Sequence, residues 1–84
     1  MHIRLLYFAG LREVLGFATE TLELPAGIDT VAALRELLAA RGEPWTALVT
    51  TKNLRAAVNQ EMAGPEARIQ ASDEVAFFPP VTGG

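Results

Sequence analysis

Thr30-Val31-Ala32-Ala33-Leu34-Arg35-Glu36-Leu37-Leu38-Ala39-Ala40-Arg41-Gly42 carries the clearest helical spacing in this 84-residue chain. Val31, Leu34, Leu37 and Leu38 form one apolar stripe, while Arg35, Glu36 and Arg41 lie away from most of it. Asp29 or Thr30 supplies a side-chain oxygen for the free N–H groups of the first turn. Arg41 suits the negative end of the helix dipole, and Gly42 suits a left-handed stop. The spacing predicts a helix over Val31–Arg41 that needs a sheet to cover its stripe.

Strands are expected on both sides of it. Residues 2–8 alternate, with Ile3, Leu5 and Tyr7 on one face and Arg4, Leu6 and Phe8 on the other. Ala9 to Leu15 read as a short helix that Gly16 stops. Residues 18–24 alternate again, and Pro25-Ala26-Gly27 ends that strand. Beyond the long helix, Ala47–Thr50 and Leu54–Asn59 read as paired strands around Thr51-Lys52-Asn53, and 59–64 as a turn. Ile69 drops one apolar side chain into the core. Ser72-Asp73 turns the chain into a last strand, Glu74–Phe78, which Pro79 and Pro80 end because neither can donate to a ladder. Strands around one long amphipathic helix give an α+β roll, a single domain spanning 1–84 with the sheet packed on that helix.

Composition narrows the chemistry. Half of the residues are apolar, and seven basic against ten acidic side chains leave a net charge of −3. That balance argues against a nucleic-acid partner, which would select a basic face. No apolar run reaches the roughly 18 residues of a membrane span, and the N-terminus lacks the pattern of a secretion signal, so a cytoplasmic location is expected. There is no cysteine, which removes disulfides, thiolate metal sites and cysteine nucleophiles. His2 is the only histidine, Ser72 the only serine, and no glycine-rich phosphate loop or metal-ligand spacing is present. Nothing among the side chains reads as able to run a reaction alone.

The C-terminal end reads differently. Alternation places Val75 and Phe77 toward the helix, which leaves Phe8 and Phe78 on the outer face of the sheet. Two aromatics there, joined by Met62, suggest a partner surface. From its edge runs Pro79-Pro80-Val81-Thr82-Gly83-Gly84, a flexible tail that reaches roughly 20 Å when extended. The two prolines favour an extended form and lower the entropy lost on insertion. Gly83 and Gly84 bring no side chain into a narrow channel. The seat of chemistry is therefore expected at the backbone carboxylate of Gly84.

The run Asp73-Glu74-Val75-Ala76-Phe77-Phe78-Pro79-Pro80-Val81-Thr82-Gly83-Gly84 resembles the ending of the ubiquitin-like sulfur carriers, in particular the family of small subunits of molybdopterin synthase. Leu5 to Glu13, Thr30-Val31 with Leu34, and Ala57-Val58-Asn59-Gln60 extend the resemblance across the chain. Gly-Gly alone also fits thiamine-pathway carriers and ubiquitin-like modifiers, which do not usually carry the Phe-Phe-Pro-Pro lead-in. The resemblance implies a β-grasp fold with no stably bound cofactor. It further implies that an adenylating enzyme joins AMP from ATP to Gly84, and that a sulfur donor then converts Gly84 to a thiocarboxylate. A large catalytic subunit, in a heterotetramer, would take in Gly83 and the preceding Pro79, Pro80, Val81 and Thr82. It would pass the sulfur to cyclic pyranopterin monophosphate. By position Phe8, Met62 and Phe78 correspond to the apolar contact with that subunit, and Arg12 adds a polar one. One departure is Ala71-Ser72-Asp73, where the family commonly has Asp-Gly-Asp; serine enters positive φ less freely than glycine.

Overall fold

The computed structural model describes residues 1–16, 18–51 and 53–79. In chain order the elements are β1 (His2–Tyr7), α1 (Gly10–Leu15), β2 (Thr19–Glu23), α2 (Val31–Ala39), α3 (Ala47–Thr50), β3 (Arg55–Val58), β4 (Glu61–Ala63) and β5 (Glu74–Phe78). The five strands form one sheet in the order β2-β1-β5-β3-β4. β1 and β5 run parallel, with Leu5 opposite Val75 and Tyr7 opposite Phe77, and the other pairs are antiparallel. The mixed sheet grips α2 across its inner face, which is the expected β-grasp.

Alternation decides what that grip contains. Ile3, Leu5 and Tyr7 from β1, Val75 and Phe77 from β5, and Ala56 from β3 all point inward and are buried. They meet Val31, Leu34 and Leu38 of α2, with Ile69 completing the cluster from its loop as expected. The Thr30 hydroxyl accepts from the Ala33 N–H at 3.2 Å, so Thr30 is the cap of α2. Gly42 at φ 87° turns the chain out after its last turn, a conformation glycine adopts without steric cost.

Three expectations need correction. Ala47–Thr50 is the short helix α3, not a strand. The chain from Gly42 coils through successive turns, with N–H bonds from Trp45 to Gly42, Ala47 to Pro44 and Leu48 to Trp45. Four residues are too few for a period to show, and a short apolar run fits either form. Tertiary packing decides: Leu48 is fully buried, and the Arg35 guanidinium donates to its carbonyl from Nε at 3.0 Å and Nη2 at 2.6 Å. Second, only Asn59 and Gln60 make the turn after β3. Both hold positive φ, as a two-residue hairpin of the primed type requires, and Glu61–Ala63 then returns as edge strand β4. Third, α2 ends at Ala39, so Arg41 leaves the helix and its dipole.

Arg41 turns instead to β2. Its Nη1 and Nη2 donate to Glu20 at 3.1 and 2.7 Å, and its guanidinium carbon lies 4.4 Å above the Trp45 ring. Tyr7 donates its hydroxyl to the same Glu20 at 3.3 Å and meets Trp45 edge to face. Burial raises the Tyr7 pKa well above its ordinary value; the Glu20 charge and hydrogen bond add to that, and Arg41 opposes it. An unfolded chain loses this proton near pH 10, whereas the folded one keeps it to higher pH. Stability should therefore fall above about pH 10, by about 1.4 kcal/mol per pH unit until the folded value is reached. Urea titrations at rising pH should show this slope in the native sequence and not in Tyr7→Phe.

Ser72 adopts φ 70° in the turn before β5. The turn thus takes the left-handed form glycine would favour, and the Ser72 N–H donating to the His2 carbonyl at 2.7 Å holds it there.

Candidate functional site: the outer sheet face and the root of the tail

The outer face follows from the same register. Leu6 stands opposite Ala76, Ala76 opposite Ala57, and Ala57 opposite Met62, an unbroken apolar row across four strands. Ala57 and Ala76 are each 8% exposed, a shallow saddle between longer side chains. Phe8 is 48% exposed and Met62 61% exposed, and Phe78 is half-buried. The Phe8 N–H donates to the Phe77 carbonyl at 3.2 Å, so the β1–β5 ladder continues one residue past β1 and keeps Phe8 beside β5. The register therefore places Phe8, Phe78 and Met62 on one face of the sheet.

Phe78 sits opposite Arg55 on β3. Arg12 is exposed on α1, the helix that starts directly after Phe8, and no carboxylate among the described residues pairs with it. Pro79 lines a cleft of about 220 Å³ together with Gly10, Leu11 and Val14 of α1 and with Ala47 and Thr51 around α3. Pro80, Val81, Thr82, Gly83 and Gly84, on which the chemical expectations rest, lie outside the described residues.

Chemically, this face is apolar. Its aromatic and aliphatic side chains offer area to bury, while the nearby carboxylate Glu74 is held by Arg4 at 2.9 Å. Among the described residues no cluster of His, Asp or Glu could hold a metal ion, and no helix is long and apolar enough to cross a membrane. Sequence reading missed the Glu20–Arg41–Trp45 cluster and the Arg35 tie to Leu48. Neither leaves a periodic signal, because each joins residues that only the tertiary fold brings together.

The model of the ThiS family matches residues 5–84. The molybdopterin synthase sulfur carrier subunit of Escherichia coli is 44% identical over 82 residues, covering 98% of this chain and 99% of that one. The protein of the same name from Haemophilus influenzae is 38% identical over the same shares. Among solved structures, the small archaeal modifier protein 1 of H. volcanii matches with a TM-score of 0.76 and 28% identity over 95% of this chain and 98% of that one. Matched from its first strand to its final glycine, and with relatives that are sulfur carrier subunits aligned along nearly their whole length, the chain belongs to the ThiS family.

Proposed function

We propose that this chain is the sulfur carrier of a molybdopterin synthase, working through its C-terminal glycine. The observation that carries the reading is the outer face: Phe8, Phe78 and Met62 gathered beside the strand from which the Pro-Pro-Val-Thr-Gly-Gly segment departs. The 44% identity to a molybdopterin synthase sulfur carrier subunit supports it along the whole chain.

A carboxylate is a poor electrophile. An adenylating enzyme would let the Gly84 carboxylate attack the α-phosphorus of ATP, releasing pyrophosphate and leaving AMP as a good leaving group. A sulfur donor would displace AMP and leave a thiocarboxylate, a soft nucleophile that needs no cysteine on this chain. The large subunit would then cover the outer face and admit Gly83 and Gly84 into its own site. Sulfur would pass there to cyclic pyranopterin monophosphate, and water would restore the carboxylate. In this scheme the described domain recognises and positions, and the large subunit supplies the catalytic side chains.

Intact-mass analysis tests the central step. After incubation with an active adenylating enzyme, ATP and a sulfur donor, the chain should gain the mass of one oxygen-to-sulfur exchange, and the chain lacking Gly84 should not. No such change in the native chain would count against the reading. The likeness to a modifier protein supports a second one, in which Gly84 forms isopeptides with target lysines. Heavier conjugates in cell extracts that vanish on removal of Gly84 would favour it.

A further inference from the structure

The six arginines divide evenly. Arg4, Arg41 and Arg68 pair with Glu74, Glu20 and Asp29. Arg12, Arg35 and Arg55 meet no carboxylate among the described residues. Two of these three line one groove of about 320 Å³, together with Asn53, Leu54, Met62 and Pro65. The groove opens where β4 stops at Ala63 and the chain turns through Pro65 toward α2, whose Ala32 N–H donates to the Pro65 carbonyl at 2.9 Å. Among the described residues no acidic side chain lines it, although the chain as a whole carries a charge of −3.

Its position gives this charge a use. Met62 belongs both to the groove and to the apolar row of the outer face. Arg55 is exposed and stands opposite Phe78. A partner seated on Phe78 and Met62 must therefore run past Arg55. Arg35 gives two donors to the Leu48 carbonyl, so its guanidinium is held in place while its charge stays uncompensated. A fixed positive wall and a free arginine at the rim suit carboxylates, and an exposed charge beside an apolar contact acts mainly on orientation and association rate.

We propose that this groove receives an acidic segment of the large synthase subunit, with Arg55 pairing directly to a carboxylate and Arg35 lending a fixed positive field. The proposal rests on the reading of the outer face as the docking surface for that subunit. It adds a polar determinant on β3, opposite Phe78.

Calorimetric titration of the full chain with the large subunit, at low salt and at about 0.15 M salt, tests it. Arg55→Glu should weaken binding by about tenfold or more at low salt and flatten the salt dependence. Arg55→Lys should retain most of the affinity, and the melting temperature of both should match the native chain. If Arg55→Glu binds like the native chain with the same salt response while Phe78→Asp does not bind, the outer-face reading stands and the groove proposal falls. If Phe78→Asp also binds normally, the docking surface lies elsewhere and the groove proposal falls with it.

Discussion

Phe78→Asp should leave the domain folded and weaken its capture by the large synthase subunit by about 100-fold, the loss expected when a buried aromatic anchor is replaced at an interface. Phe78 points to the outer face, half-buried, next to Phe8 and opposite Arg55. No partly buried residue packed against the core cluster comes from its position. An aspartate there stays in water while the chain is free and loses that water on docking, where it meets apolar surface without a partner. Titration against the large subunit reads the affinity, and thermal melting reads the fold. A variant whose melting temperature falls as steeply as its affinity would show that Phe78 is a core residue and not an anchor.

One residue earlier the expectation reverses. Phe77→Ala should cost about 3–5 kcal/mol of stability, because Phe77 is fully buried between Tyr7 of β1 and Ala56 of β3. A domain of this size has about 5–10 kcal/mol in total, so the variant should unfold at far lower urea than the native chain. The side chain it loses belongs to the buried cluster with Leu34 and Leu38 of α2, and close-packed interiors refill such a space only in part. A urea midpoint close to the native one would contradict the packing described. Adjacent phenylalanines thus predict opposite losses, folding at 77 and recognition at 78, since a strand sends successive side chains to opposite faces.

That contrast was legible in the sequence because it depends only on a period of two. The α2 stripe, a cap at Asp29 or Thr30, the left-handed Gly42 and the inward Ile69 were legible for the same reason: each is a local pattern or a single apolar residue among polar ones. Helix α3 and strand β4 were not, being four and three residues long, shorter than the window in which a period declares itself. Arg41 was assigned to the helix dipole by its position in the chain. Its place on Glu20 and Trp45 follows from β2 and the loop after α2 meeting in space. At the site, Phe8, Met62 and Phe78 could be placed from alternation and resemblance. Arg55 and Arg35 escaped notice because their groove exists only where β4 ends against α2.

The strand at the middle of the sheet is the last one made. β5 joins β1 on one side and β3 on the other, across about seventy positions from Arg4 to Glu74. No other strand joins the β2–β1 pair to the β3–β4 pair, and pairings of such wide sequence separation close slowly. Without β5 the apolar row is interrupted as well, because Ala76 supplies its centre. A nascent chain stalled before Glu74, or one clipped there by a protease, has neither a closed sheet nor a continuous outer face. The topology makes the domain a check on its own completion: a partner that selects this face selects chains translated through Phe78.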